Sequence, residues 1–554
     1  MWQNVLFGGN VGYRSWFGRL GKRRLTAMAA AVAALAATSL AGVPAASADS
    51  DETVIVTASG LLSPVTAVLQ VGGSVLTQFH LIAGVVATIP AAVAPVLGAL
   101  PGITVTPDAS VTIQSVPEST GPHTPSDAFL AQTGANRLAA SGDTGQGVTV
   151  AVLDTGIDQL PDFSGRLAGG ADLTGEGNPF QDDYGHGTFV AGLIAGNGAS
   201  SNGQYSGEAP GANLVSIKVA GASGQTDLGT VIEGLQWAVD HQGTYGIKVL
   251  NLSLGFQPTQ STLVDPLDQA VQAVWDAGIT VVASAGNAGP FNGTILSPGD
   301  DPLVITVGAL DDMASPSASG DEMTNFSSVG PTSPDGWAKP DLVTSGESVV
   351  SLAAPGSTIY DDYPSARIGA ANLAGSGTSF ATAITSGAAA LVLADNPGLT
   401  PDQVKARLLG NTNPGPVGNP FVDGHGALNA DAAATSGPMD LSQTGLVLPT
   451  LPGISVPLSP ARPFDTWNTG LWSGLPPVET PSAGPAADGL NWNGAAWNGW
   501  VWNELAWDRR AWAGAYWNGS AWTGSAWDGT AWDGSPWSGA AWGSDLASKC
   551  WNGG

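Results

Sequence analysis

Apolar runs rich in Val and Ile alternate with longer stretches of helical character through the middle of the chain. Such runs are typical of strands buried on both faces of a parallel sheet. The alternation therefore predicts an α/β fold with a parallel sheet flanked by helices on both faces. We predict strands at 147–153, 214–219, 249–254, 279–283 and 304–307, and helices at 189–195, 228–240, 263–277, 401–409 and from Ser379 to about 394.

A separate stretch without formal charge lies between Glu52 and Asp108. Its part from 81 to 105 is long enough to cross a bilayer. Three prolines and several glycines, however, divide it into pieces of strand and short-helix length. Residues 54–57 and 103–106 are β-branched runs that favour strands. We therefore predict a small α+β unit here.

The first 48 residues have the three parts of an export signal. Basic residues between 14 and 24 precede an uncharged, alanine-rich run at 25–43, and Ala46-Ser47-Ala48 forms a small-residue cleavage site. A transmembrane anchor is the alternative, but alanine is weakly apolar and the run ends at Pro44. We predict a signal peptide at 1–48 and a secreted, extracellular protein.

The charge balance argues against some partners. The chain has 17 Lys and Arg against 45 Asp and Glu, a formal net charge of −28. Nucleic-acid binding needs clustered basic residues, so we expect no nucleic-acid partner. Cys550 is the single cysteine, which excludes an intramolecular disulfide and a four-cysteine zinc site.

Two polar residues stand at the ends of predicted elements. Asp154 directly follows the run 147–153, and open α/β sheets place their sites at the carboxyl ends of strands. His186 stands between Gly185 and Gly187 before the helix at 189–195, so backbone or substrate can approach its ring closely. Both are candidate site residues.

Ser379 begins the long apolar helix, where a serine is usually only an N-cap. The order Asp, His, Ser along the chain changes this interpretation. A serine hydroxyl is a poor nucleophile unless an imidazole takes its proton and a carboxylate orients the imidazole. Asn287 follows the strand at 279–283, and its amide could donate to an oxyanion beside Ser379. Turn capping is the structural alternative for Asn287.

With these residues the chain resembles the subtilisin-like serine peptidases. The resemblance covers about 128–436 and rests on AVLDTGID (151–158), GHGTFVAG (185–192), NLSLG (251–255), ASAGN (283–287), SPG (297–299), VGA (307–309) and GTSFATA (377–383). It implies a triad of Asp154, His186 and Ser379, with the Asn287 amide and the Ser379 N–H as oxyanion donors. It also implies a substrate-binding edge, where the peptide adds as an extended strand, formed by Ser253, Leu254, Gly255, Ala285 and Gly286.

The implied function is a secreted serine endopeptidase that needs no cofactor for its chemistry. Calcium supports loops in many members of the family, but no acidic loop here has a clear ligand pattern. One rival is an acid-active relative with a Glu–Asp–Ser set, against which His186 argues. Another is an envelope- or glycan-binding protein whose peptidase domain serves mainly self-processing.

The resemblance also implies a precursor. We predict an inhibitor-like pro-region at 49–120, a folding helper whose end occupies the active-site cleft, followed by a peptidase domain at 121–436. A plain N-terminal extension is the alternative. The runs at 101–108 and 111–114 are candidates for the closing strands of the pro-region, and we expect the processing cut between 115 and 127.

The C-terminal composition differs from the rest. Residues 437–489 are rich in Pro, Gly, Ser and Thr and are typical of a linker. A tryptophan repeat with a period of five follows at 490–554, with tryptophans at 492, 497, 502, 507, 512, 517, 522, 527, 532, 537 and 542. A fixed short period suggests a stacked solenoid or a chain of turns. The tryptophans either stack on one another or form an aromatic surface for glycan or cell-envelope binding.

Overall fold

The computed structural model describes residues 51–60, 62–113 and 124–437, together with three short strands in the tail. The predicted signal peptide, the linker and most of the tryptophan repeat lie outside these residues, as do residues 114–123 of the predicted processing region. The chain divides into two compact units. One is Met1–Gln78 with Ala83–Pro107, and the other is Phe79–Ile82 with Asp108–Gly554.

The first unit is a small α+β fold. Its four strands form an antiparallel sheet in the order β2-β3-β1-β4, and apolar side chains such as Val54, Val68 and Leu97 form its core. Both β-branched runs lie in strands. The elements are β1 Asp51–Ala58, α1 Pro64–Gln70, β2 Ser74–Gln78, β3 Gly84–Pro90, α2 Ala94–Gly98 and β4 Ile103–Pro107.

The second unit contains the remaining described elements. Its strands are β5 Ser110–Ile113, β6 Thr149–Asp154, β7 Leu167–Asp172, β8 Asn213–Lys218, β9 Gln225–Asp227, β10 Ile247–Leu252, β11 Leu254–Gly255, β12 Thr280–Ser284, β13 Ile305–Asp311, β14 Glu322–Met323, β15 Leu342–Ser345, β16 Val349–Leu352, β17 Arg367–Ile368 and β18 Asn372–Gly375. Its helices are α3 Phe129–Gln132, α4 Ala135–Ser141, α5 His186–Ala195, α6 Leu228–Asp240, α7 Gln242–Tyr245, α8 Pro266–Asp276, α9 Thr358–Asp362, α10 Thr378–Asp395, α11 Pro401–Gly410 and α12 Ala430–Thr435.

An eight-stranded sheet forms the centre of the second unit. Its order is β14-β13-β12-β10-β6-β8-β7, with β15 beside β13, and every pair is parallel except β13–β14. The strands β6, β12 and β13 are buried along their whole length. Helices cover both faces, α5 packing with α10 and α6 packing with α8. The predicted α/β fold is confirmed.

Helix α10 is apolar and long enough to cross a membrane, but it is almost entirely buried inside the second unit. It contacts β10, β12, β13 and β15. Among the described residues it is the one helix that meets this length and composition, and here it is a core helix.

Several element boundaries differ from the sequence expectation, among them the helix predicted at 189–195, which begins earlier, at His186. The strand predicted at 249–254 is interrupted at Ser253, whose side chain and carbonyl both bond to Ser379. The helix predicted at 263–277 begins later, at Pro266, because the Asp265 carboxylate caps its first turn. The strand predicted at 304–307 extends to Asp311.

The described part of the tail consists of three short strands, β19 Tyr516–Trp517, β20 Ala521–Thr523 and β21 Trp537–Ser538. They pair antiparallel, and Trp522 stands opposite Trp517 in one pair and Trp537 in the other. The rest of the predicted repeat lies outside the described residues.

Candidate active site

Asp154 and His186 form a buried pair. Asp154 ends β6, and His186 is the first residue of α5; both are at most 1% exposed. His186 Nδ1 lies 2.8 Å and 2.9 Å from the two Asp154 oxygens. A carboxylate only accepts, so Nδ1 carries a proton and Nε2 becomes the acceptor of the neutral ring. Nε2 is buried and has no hydrogen-bond partner among the described residues.

Ser379 lies in the first turn of α10, where backbone N–H groups lack partners within the helix. Its hydroxyl donates to the Ser253 carbonyl at 3.2 Å, and the Ser253 hydroxyl donates to the Ser379 carbonyl at 2.9 Å. The next residue, Phe380, has its ring centroid 5.7 Å from that of His186. The structure therefore brings the start of α10 to the start of α5.

Asn287 is fixed to the residue before the serine. Its side-chain oxygen accepts from the Thr378 N–H and the Thr378 hydroxyl, both at 2.9 Å. The Thr378 hydroxyl also accepts from the Gly286 N–H at 3.2 Å. With the oxygen occupied in this way, the amide nitrogen is the end of Asn287 that points away from Thr378. That orientation suits a donor beside Ser379.

Two short strands hold a segment of the chain itself in extended form. Strand β5 pairs antiparallel with β11, Ile113 opposite Leu254 and Thr112 opposite Gly255. On its other side β5 pairs with β9, and the Ile113 N–H donates to the Gly224 carbonyl at 3.1 Å. The predicted edge at Leu254 and Gly255 thus pairs with a peptide strand. Sequence reasoning missed the second edge, β9, because three polar residues before a helix carry no strand pattern.

Ala285 and Gly286 follow β12 and lie close to Gly255 of β11, because Leu296 is a neighbour of both segments. A Cβ on Gly286 would stand 2.6 Å from Leu296 Cγ, and one on Gly255 would stand 3.0 Å from Leu296 Cβ. Gly286 also has a φ of +107°, a conformation that glycine adopts without strain. Leu296, which the sequence did not single out, therefore lies between the two glycine segments.

A second buried carboxylate supports the loop before His186. Asp182 is 3% exposed and accepts from the Thr155 hydroxyl, the Gly185 N–H and the Thr188 N–H, each at 2.7 Å. Burial raises the pKa of Asp182 to about 6, against the lowering effect of these donors. Sequence reasoning missed Asp182; the signal available was an aspartate just ahead of a glycine-flanked histidine.

No group of three or more His, Cys, Asp or Glu side chains that could hold a metal ion occurs within residues 51–60, 62–113 and 124–437 or the three tail strands.

Comparisons with known proteins agree with this geometry. A model of the subtilase family matches residues 145–437. The chain is 45% identical over 293 residues to serine protease AprX of Bacillus subtilis strain 168, which spans 52% of this chain and 66% of that protein. It is 35% identical over 308 residues to subtilisin NAT of Bacillus subtilis subsp. natto, spanning 55% and 70%. Subtilisin Savinase of Lederbergia lenta is 36% identical over 292 residues, spanning 53% and 92%.

Proposed function

Since this chain belongs to the subtilase family and is a serine endopeptidase, we propose that Ser379 is its nucleophile and His186 its general base. Asp154 orients the imidazole through Nδ1 and stabilises the charged ring that forms when Nε2 takes the serine proton. The hydroxyl oxygen attacks the scissile carbonyl carbon. His186 then protonates the leaving amine, and water releases the acyl group by the same route in reverse.

The oxyanion of the tetrahedral intermediate needs donors that are already in place. We assign this role to the Asn287 amide and the Ser379 N–H. Support comes from the Thr378 contacts, which orient Asn287, and from the position of Ser379 in the first turn of α10, where the helix dipole favours negative charge.

The observation that carries the proposal is the pairing of β5 with β11. A peptide added to this edge runs past Ser253, whose carbonyl accepts the Ser379 hydroxyl. Main-chain pairing of this kind recognises extended polypeptides of varied sequence. The substrate class is therefore an extended segment of polypeptide.

Because the strand on the edge belongs to the chain itself, we propose that it blocks the cleft until processing. Two further contacts anchor it: the Leu228 N–H donates to the Ala109 carbonyl at 3.1 Å and the Gly229 N–H to Asp108 at 2.9 Å. In this proposal the pro-region inhibits its own peptidase, and the signal peptide sends the precursor out of the cell.

N-terminal sequencing and intact mass of the secreted protein test this assignment. Leu254 pairs with Ile113, and its neighbour Ser253 bonds to the nucleophile, so we expect the new N-terminus only a few residues after Ile113. Ser379→Ala, expressed in parallel, should stay uncut. A mature N-terminus before Ser110 would contradict the proposal, because β5 would then remain attached as an ordinary part of the enzyme.

A second function is proposed for the tail. The period of five and the antiparallel register of Trp517, Trp522 and Trp537 support a regular array of aromatic residues. Aromatic faces in such number favour a binding partner. We propose that residues 490–554 bind an insoluble glycan of the cell envelope.

The Ser379→Ala chain with and without residues 490–554 tests this function. The longer chain should pellet with peptidoglycan, cellulose or chitin, and the shorter one should stay in solution. If both stay in solution, the tryptophans stack on one another rather than bind a glycan.

A further inference from the structure

Asp182 links the two segments that carry the catalytic pair. Thr155, whose hydroxyl donates to Asp182, is the residue directly after Asp154. Gly185 and Thr188, whose N–H groups donate to the same carboxylate, stand on either side of His186. One buried carboxylate therefore holds the end of β6 and the start of α5 together.

The Thr155 hydroxyl is the centre of this link. It lies 2.7 Å from an Asp182 oxygen and 3.3 Å from an Asp154 oxygen, and it accepts from the Gly187 N–H at 2.9 Å. A hydroxyl has one proton, and the shorter contact takes it. Asp154 is then left with the His186 Nδ1 proton and the Thr155 N–H, which donates at 2.8 Å.

We propose that Asp182 is a positioning residue of the peptidase, which through the Thr155 hydroxyl and the N–H groups beside His186 fixes the Asp154 carboxylate against the imidazole ring. It touches neither substrate nor reacting atoms. Its contribution lies in geometry, where a displacement of about 1 Å can cost on the order of 100-fold in rate, and in a buried negative charge near the imidazolium.

The ionisable groups around Asp182 come from several elements. Asp154 and His186 belong to the site, and Asp158 accepts from the Asp182 N–H at 2.9 Å. Tyr184 and Asp183 lie on the same loop, and the Lys218 ammonium of β8 bonds to the Gln181 carbonyl and to Asp183. Lys218 thus pairs with Asp183, and the groups that donate to Asp182 are neutral.

Asp182→Asn in the full chain tests the proposal, because asparagine keeps the volume but loses the charge and one acceptor. We expect kcat per titrated active site to fall about tenfold or more, with KM changed less than about twofold. With a negative charge removed from beside the pair, the imidazolium is less stable, so the acidic limb of kcat/KM should shift to lower pH. Asp265→Asn is the matched control, since Asp265 is also a buried carboxylate that accepts N–H groups at a helix start. It should leave kcat and the pH profile unchanged.

Two variants of Thr155 separate positioning from folding. Thr155→Val should lower kcat as Asp182→Asn does, Thr155→Ser should lose clearly less, and the double variant with Asp182→Asn should lose no more than the worse single variant. If Asp182→Asn does not fold, the comparison of kcat between Thr155→Val and Thr155→Ser decides instead. The proposal is overturned if Asp182→Asn lowers only Tm or the fraction of active enzyme, or if Thr155→Val and Thr155→Ser have equal kcat.

Discussion

Two regions of the second unit bury aspartate carboxylates, and they differ in the hydrogen-bond donors that reach those carboxylates. In the active site, Asp154 accepts from His186 and from the Thr155 N–H. In a second region, which we call the aspartate cluster (Asp265, Asp268, Asp300 and Asp301), the carboxylates face one another. Asp268 Oδ2 and Asp300 Oδ1 have no hydrogen-bond partner in the described part of the chain.

The aspartate cluster is unfavourable for ionised carboxylates. Burial, together with the neighbouring carboxylates, raises the pKa of Asp268 and of Asp300 well above the ordinary value of 3.8. Burial costs a carboxylate its charge unless donors or a counter-charge replace the lost water. The His186 ring nitrogen lies within hydrogen-bond distance of both Asp154 oxygens, whereas Asp268 and Asp300 of the cluster each have one oxygen without a donor among the described residues. A buried aspartate therefore indicates the active site only when hydrogen-bond donors surround its carboxylate.

Removal of the proposed nucleophile should have the largest effect. Ser379→Ala should lower kcat on the order of 10⁶-fold, a size known for subtilisin, because the triad acts as a unit. Thr385→Val on the same helix is the control, since the Thr385 hydroxyl donates only along α10, to the Ala381 carbonyl. Measurable turnover by the Ser379→Ala protein at a rate near that of the parent would exclude the proposed mechanism.

Loss of the proposed oxyanion donor should have a smaller effect on the same step. Asn287→Ala should lower kcat roughly 10²–10³-fold, again a range known for subtilisin, with little change in KM. Thr378→Val, which removes one of the two groups that orient Asn287, should lose less. Single-turnover kinetics on a soluble peptide measure both. Equal losses in the two variants would mean that Asn287 acts by holding α10 in place.

A substitution in the aspartate cluster should have the smallest effect, and it should stabilise the protein rather than impair it. Because the folded pKa of Asp268 is raised, its contribution to stability is present below the unfolded value and is lost as pH rises through the folded pKa. Asp268→Asn should therefore stabilise the protein at pH 8 by about 1 kcal/mol, roughly 2–4 °C in Tm, and should have little effect at pH 4.

Asp341 offers the contrast to Asp268. Burial opposes its ionisation, but Lys339 at 2.7 Å and Lys405 at 3.1 Å hold the pKa of Asp341 below its ordinary value. Its contribution is therefore present above the unfolded value and is lost as pH falls. Asp341→Asn should destabilise at pH 8 by roughly 3–5 kcal/mol, since the buried Lys339 ammonium loses its counter-charge. Thermal melts of both variants at pH 4 and pH 8 measure the two effects. A fall in Tm for Asp268→Asn at pH 8 would contradict the proposed difference between the two aspartates.

The sequence predicted the parts of this picture that are local. Asp154 follows an apolar run and Ser379 begins one, so hydrophobic patterning places both at element ends. It could not predict the break at Ser253, because the cause is a pair of hydrogen bonds to a residue far along the chain. Asp182 and the aspartate cluster were missed for the same reason. Their meaning depends on neighbours that folding brings together, such as Asp268 and Asp300.

Covalent labelling of the proposed nucleophile tests the central claim most directly. The processed, secreted protein is treated with a serine-directed phosphonyl reagent, and the labelled peptide is identified by mass, with uncut Ser379→Ala protein as the control. We predict one adduct per molecule, on Ser379, with activity lost in proportion to labelling and no adduct in the control. Full loss of activity with the adduct on another residue, or full activity with Ser379 labelled, would contradict the account.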